Sequence, residues 1–229
     1  MHTKAKFSLV TLLMIFSSLF HLKAQDWPNL QKYAEANATI DSTNSPENRV
    51  VFMGNSITEG WVRDDAAFFT ENNYIGRGIS GQTTPQMLLR FRQDVIDLKP
   101  EVVVILAGTN DIAGNTGPMT AEQTFGNIVS MAELAEANRI KVVISSILPA
   151  AKYPWKPKVE SVKPINMINT MLKYYAKGKG FVYLDYFTAM VNTENGIKEG
   201  LAYDGVHPTL EGYKVMEPLA KAAIAEALK

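Results

Sequence analysis

Cysteine is absent from all 229 residues, so the chain can form no disulfide and carry no lipid on an N-terminal cysteine. Histidine is nearly as scarce, with only His2, His21 and His207. A structural or catalytic zinc centre draws several ligands from Cys and His, so no metal site is expected, and no organic cofactor either. An excess of charge is missing as well. Lys and Arg together number 23, as do Asp and Glu, with no basic block. Nucleic acid is therefore not expected as a partner. Beyond the first two dozen residues there is no long apolar run, which argues against a membrane span or a large hydrophobic lid.

The amino terminus is the exception to that pattern. Lys4 and Lys6 precede an almost uncharged apolar stretch from Phe7 to Leu22, and Leu22-Lys23-Ala24 offers a small residue at a cleavage position. These features predict a signal peptide over residues 1–24, hence export to the periplasm or extracellular space with no stable membrane insertion after cleavage. The rival, a retained anchor, is disfavoured because the run is short for a span. Cleavage after Ala24 leaves 205 residues with 20 basic and 23 acidic side chains, a net charge of −3. His207 is then the one remaining histidine, and any mechanism that needs an imidazole must use it.

Residues 25–48 read as a polar extension with one short helix near Leu30–Ala36 and a turn at Ser45-Pro46-Glu47-Asn48. Residues 49–229 read as one α/β domain. Strands are expected at Arg49–Met53, Tyr74–Arg77, Val102–Leu106, Lys141–Ile147 and Phe181–Leu184. The third is a continuous, mostly β-branched run, as in a central parallel strand. Helical periodicity appears over Trp61–Phe69 and in Met87, Leu88, Phe91, Val95 and Leu98, where Thr84 is the expected N-cap, Pro85 the first helical residue and Pro100 the end. Thr120-Ala121-Glu122-Gln123 is a capping box opening a helix to about Ala137. Ser161–Lys177 is expected to be helical and to end at Gly178 and Gly180. Thr209 should cap a closing helix that Pro218 kinks or interrupts. Five strands alternating with helices imply a parallel sheet covered on both faces. The doubly wound order 2-1-3-4-5 would place the loops after strands 1 and 3 side by side at the switch point.

Those two loops carry Ser56 and Asn110. A serine becomes a nucleophile when an oriented base takes its proton. His207 can be that base, and Asp204, three residues earlier in Asp204-Gly205-Val206-His207-Pro208, can hold its far nitrogen. A tetrahedral intermediate needs donors for its oxyanion. The backbone N–H groups of Gly81 and Ser56 and the side-chain amide of Asn110 are candidates. Each feature also has a plainer reading: Ser56 or Thr58 as a helix cap, Asn110-Asp111 as a turn beyond a strand, His207 as a surface residue before a helix. Ser80 is a rival nucleophile, but Gly78-Ile79-Ser80-Gly81-Gln82 lacks the second glycine of a nucleophile elbow. Asp185 after strand 5 is read as structural. In the loop after strand 4, Tyr153 and Trp155 could stack on a sugar, line an acyl pocket, or simply pack against the rim.

Four blocks together resemble the SGNH hydrolases, also called GDSL-type esterases and lipases: Phe52-Met53-Gly54-Asn55-Ser56-Ile57-Thr58, Gly78-Ile79-Ser80-Gly81-Gln82-Thr83-Thr84, Gly108-Thr109-Asn110-Asp111 and Asp204-Gly205-Val206-His207-Pro208. They stand in the family's order and span Val50 to the C-terminus. The resemblance implies a flavodoxin-like three-layer α/β/α sandwich, Ser56, Asp204 and His207 as the triad, and Ser56, Gly81 and Asn110 as the oxyanion hole. It implies a serine esterase that works through an acyl-enzyme without a cofactor, on small-molecule or oligosaccharide esters. Short acyl esters of carbohydrates are the expected substrates, with lipid or thioester acylhydrolysis as the alternative. A second alternative is a non-catalytic carbohydrate-binding protein on the same fold. One position departs from the family's pattern: Asn55 stands where Asp is usual, which removes a negative charge beside Ser56 while keeping an oxygen that can accept hydrogen bonds.

Overall fold

The computed structural model of the protein describes residues 25–40 and 49–229. The expected signal peptide and the turn at Ser45–Asn48 lie outside the described residues. Five strands, β1 (Val50–Gly54), β2 (Tyr74–Gly78), β3 (Val102–Leu106), β4 (Lys141–Ser145) and β5 (Val182–Leu184), form one parallel sheet in the order β2-β1-β3-β4-β5. This is the order expected from the strand count, with the switch point between β1 and β3.

Alternation along the strands divides the core in two. Val51, Met53, Val103, Ile105, Val142 and Ile144 face one layer of helices, where Met87, Phe91, Ile128, Met131, Ile165 and Leu172 meet them. Val50, Phe52, Val102, Val104, Leu106 and Val143 face the other, against Ile57, Trp61, Phe68, Tyr213 and Met216. The first layer comprises α4 (Thr84–Asp94), α6 (Ala121–Ala137) and α7 (Val162–Lys179). The second contains α2 (Ser56–Asp64), α3 (Ala66–Thr70) and α9 (Leu210–Leu228). Short helices α1 (Ala34–Ala38), α5 (Thr109–Ile112) and α8 (Tyr186–Met190) complete the chain. A strand buried on both faces has no polar side, which is why these runs read as continuously apolar. No helix among the described residues is long and apolar enough to cross a membrane.

Several boundaries move from their expected places, each for a local reason. The helix expected from Trp61 begins at Ser56, because the Asn55 side-chain oxygen accepts the Ile57 N–H at 3.1 Å and caps it. It breaks at Asp65, whose backbone (φ −144°, ψ 63°) is not helical, so Trp61–Phe69 is two helices rather than one. The N-cap of α4 is Thr83, not Thr84: Gln86 Oε1 accepts the Thr83 N–H at 3.1 Å, while the carboxylate of Asp111 accepts the Thr84 N–H. The helix ends at Asp94, and Ile96–Leu98 is a separate 3₁₀ turn before Pro100. Gly178 stays inside α7, and Gly180, with φ 73°, ends it. Pro218 sits within α9 without interrupting it. The short helix of the N-terminal segment is a 3₁₀ turn at Leu30–Lys32 followed by α1.

One buried cation ties the sheet to the loops above it. The Arg90 guanidinium is fully buried and donates to Gly54 O and Arg77 O, both at 2.9 Å, to Gln82 Oε1 at 2.6 Å and to Asp94 Oδ2 at 2.9 Å. It thus holds the ends of β1 and β2 and the loop after β2 at one point. Deleting one partner of such a pair strands the other charge in the interior, at a cost of about 3–5 kcal/mol. Arg90→Met should therefore lower the urea midpoint by that equivalent; a midpoint within experimental error of wild type would refute the clamp.

Candidate active site

Ser56 opens α2 immediately beyond β1, where the sheet ends and the chain turns. Gly78, at the end of β2, allows that turn: a Cβ there would lie 2.2 Å from the Glu59 nitrogen and 2.6 Å from Asn55 O. The Ser56 hydroxyl meets His207 Nε2 at 2.9 Å, across 151 positions of sequence. The other ring nitrogen, Nδ1, lies 2.8 Å from Asp204 Oδ2. With Nδ1 protonated and donating to the carboxylate, Nε2 is left as an acceptor for the serine O–H.

Asp204 is fixed by its own loop. Its Oδ1 accepts the backbone N–H groups of Val206 (3.0 Å) and His207 (2.8 Å). Partial burial disfavours its charge, but the hydrogen bonds from the His207 backbone, the His207 ring and the Val206 N–H outweigh that and hold its carboxyl below the ordinary carboxylate range. Gly205, at φ 82°, supplies the left-handed turn that lets the loop close on itself.

The proposed oxyanion donors lie on neighbouring loops. Gly81 has φ 76°, and nothing lies within 4 Å of where its Cβ would be. Neither its N–H nor that of Ser56 has an acceptor among the described residues. Asn110, in α5 beyond β3, is buried and donates through Nδ2 to Gln82 O at 2.9 Å. Its Oδ1 accepts from Asn115 Nδ2 at 3.0 Å, which sets which end of the amide carries the hydrogens. Asn115 also donates to Gly81 O at 3.3 Å and accepts from Trp155 Nε1 at 3.1 Å. It therefore links two of the three oxyanion candidates, Gly81 and Asn110, to Trp155, whose ring centroid is 5.8 Å from that of His207. Residue 115 escaped the sequence reading because Gly114-Asn115-Thr116-Gly117 has the composition of any surface turn.

The remaining candidates separate clearly. Ser80 gives its hydroxyl to the Glu59 carboxylate rather than to an imidazole, so it is not activated. Asp185 caps α8 through Thr188, a structural role. Trp155 is 37% exposed beside His207, whereas Tyr153 is fully buried and packs beneath Trp155 at 5.3 Å between centroids. A ring with no exposed surface cannot stack on a sugar or line an acyl pocket; the expected substrate contact for Tyr153 is corrected to support of Trp155. Asn55 is buried, and its side-chain oxygen accepts the Ile57 N–H, a bond that an amide or a carboxylate could equally accept. Among the described residues no group of three or more His, Cys, Asp or Glu is placed to hold a metal. A cleft of about 430 Å³ at the opposite end of the sheet, beside Arg139, Lys141 and Lys179, has no serine or histidine in its lining.

The pattern of the GDSL-like lipase/acylhydrolase family matches residues 52–215, the span that carries all four blocks. The chain belongs to that family. Among solved structures, a candidate acylhydrolase of Bacteroides fragilis NCTC 9343 is 51% identical, with a TM-score of 0.87 over 90% of this chain and 100% of that one. Esterase TesA of Pseudomonas aeruginosa is 26% identical over 69% of this chain and 74% of its own length. The uncharacterized lipoprotein YqeF of Bacillus subtilis (strain 168) is 38% identical over 33% of this chain, a match that spans 32% of YqeF. This GDSL-like acylhydrolase is a carboxylic ester hydrolase by family, with an α/β sheet in the order found here.

The lowered carboxyl of Asp204 has a consequence for stability. Its bonds to the charged form contribute fully above the unfolded carboxylate value of about 4, and are lost as pH falls through the lower folded value. The difference in Tm between wild type and Asp204→Asn should therefore shrink on titration from neutral pH to below about 3. A difference independent of pH would contradict the charge-dependent contribution.

Proposed function

We propose that Ser56 is the nucleophile, His207 the general base and acid, and Asp204 the group that orients and stabilises the imidazole. The observation that carries this reading is the unbroken hydrogen-bond chain from Ser56 Oγ through both ring nitrogens to Asp204 Oδ2, at 2.9 and 2.8 Å. Ser56 Oγ attacks the ester carbonyl as its proton passes to His207 Nε2. The carbonyl oxygen gains the negative charge, met by the N–H groups of Gly81 and Ser56 and the free hydrogen of the Asn110 amide. Collapse breaks the ester C–O bond, and the leaving alcohol takes the proton from His207. Water, deprotonated by the same nitrogen, then attacks acyl-Ser56; the acyl–Oγ bond breaks, Oγ takes the proton back from His207, and the acid leaves.

The substrate we infer is a short acyl ester, acetyl foremost, of a carbohydrate. Two features support it: a half-exposed Trp155 beside His207, and a sequence with no long apolar lid segment. Residues 1–24 are proposed as an export signal, which would place a hydrolase domain spanning residues 49–229 in the periplasm or outside the cell, with 25–48 as its extension.

A fluorophosphonate should label the wild type and fail to label Ser56→Ala or His207→Ala, since only an activated serine reacts. Labelling of Ser56→Ala would overturn the assignment. Asn110→Ala should lower kcat on 4-nitrophenyl acetate by about 10²–10³-fold, the cost of one oxyanion donor. In a chain-length series of nitrophenyl esters, kcat/KM should fall from acetyl to longer acyl groups; a preference for long chains would replace the carbohydrate reading with a lipid one.

A further inference from the structure

The N-terminal segment does more than extend the fold. Its residues Asp26, Trp27 and Asn29 line a groove of about 380 Å³ together with Gly81, Asn115 and Thr116. That volume lies within the range of small-molecule sites, about 300–1,000 Å³. The proposed oxyanion donor Gly81 and the indole of Trp27 thus border the same groove.

Trp27 is 41% exposed, yet its backbone is held firmly. Gln86 Nε2 donates to Trp27 O at 2.8 Å, and Gln82 Nε2 donates to Pro28 O at 2.7 Å. The Asp26 carboxylate accepts the N–H groups of Leu30 and Gln31 at 2.9 and 3.0 Å and so fixes the turn that follows. Further along, the Tyr33 hydroxyl donates to Gly78 O, and Lys32 pairs with Glu59 at 2.9 Å. These bonds dock the segment on the loop that presents Gly81 and on the flanking helices α2 and α4. Of the three tryptophans, Trp61 is buried in the core, whereas Trp27 and Trp155 are exposed. Asn115 borders both surroundings: it lines the groove and accepts the Trp155 indole N–H.

Resting on the reading of Ser56 as nucleophile and Gly81 as oxyanion donor, we propose that the groove lined by Trp27 is a glycan subsite that holds the alcohol half of the ester. An ester bound with its carbonyl at Gly81 has this groove beside it, open to its acyl or its alcohol half. The lining decides between them. The Asn29 amide borders the groove, and the Asp26 carboxylate, the Asn115 amide and the Thr116 hydroxyl, though each is bonded within the protein, keep hydrogen-bonding capacity that an acyl chain would desolvate without compensation. A sugar supplies hydroxyls to pair with them and an apolar C–H face for the indole.

The test uses the whole protein and two kinds of substrate. In Trp27→Ala, the ratio of kcat/KM on O-acetylated xylo- or cello-tetraose to that on 4-nitrophenyl acetate should fall about tenfold, the size of one lost aromatic contact. Trp27→Phe, which retains a ring face, should recover most of that ratio. An unchanged ratio in Trp27→Ala overturns the proposal, as does hydrolysis of 4-nitrophenyl acetate with no turnover of any acetylated saccharide. A binding measurement separates the subsite from catalysis. Deacetylated tetrasaccharide should bind Ser56→Ala and bind about tenfold more weakly to the Ser56→Ala, Trp27→Ala double variant; equal affinities, or no binding to either, overturn it. Fluorophosphonate labelling at Ser56 is the separate readout of the esterase reading, so the two fail independently.

Discussion

Arg90 is a cation with no route to water, and its five N–H donors demand acceptors. It finds them in the carbonyls that end β1 and β2, in the Gln82 side chain and in Asp94. Burial pulls the guanidinium pKa down, and Asp94 works against that effect to keep it charged. The geometry that satisfies this one group dictates how Gly54, Arg77 and Gln82 sit relative to each other. Ser56 follows Gly54 by two residues, and Gly81 precedes Gln82. The positions of the proposed nucleophile and of a proposed oxyanion donor are thus both tied to solvating a buried charge with protein rather than water.

The same clamp reaches outward. Asp94, which pairs with Arg90, accepts from Asn37 Nδ2 at 2.7 Å, and Asn37 Oδ1 accepts from Arg77 Nε at 2.8 Å. Arg77 in turn stacks over the Tyr33 ring at 4.7 Å. Through these bonds residues 26–38 are fastened to the edge of the sheet, close to the loop that carries Gly81. A second set of bonds does the corresponding work on the β3 side. Asp111 accepts the N–H of Thr84 at the start of α4, while its neighbour Asn110 reaches Gln82 O, so one short helix secures the loop twice. Asn115 closes the arrangement by joining Asn110, Gly81 and Trp155. Preorganisation of this kind matters because an oxyanion donor helps only if it is already aimed before charge develops.

Much of the fold was legible before any coordinates. Strands such as Val102–Leu106 and Lys141–Ser145 are buried on both faces, so their composition alone betrays them, and the count of strands led to the sheet order. The motif blocks were readable because each places its chemistry on a few contiguous residues. Boundaries were less legible where one polar side chain decides them. Asn55 starts α2 five residues earlier than periodicity suggests, and Asp111, 27 positions away, takes the Thr84 N–H and leaves Thr83 as the cap. Tyr153 looked like a binding residue because exposed and buried aromatics are identical in sequence; only the packing of its loop reveals that Trp155 covers it.

By itself the sequence determined the layered α/β class, the family and the short list of residues with the right chemistry, because those depend on local pattern and on residue type; the sheet order was an expectation that the strand pairing then met. Only the tertiary structure decided that Ser56 and His207 meet at 2.9 Å across 151 positions, that Ser80 is occupied by Glu59, and that Asn115 orients the Asn110 amide. It also decided that Trp27 and Gly81 line one groove. The physical reason is common to all four. A hydrogen bond or a groove is defined by directions and distances between groups in space, and no periodicity along the chain encodes them.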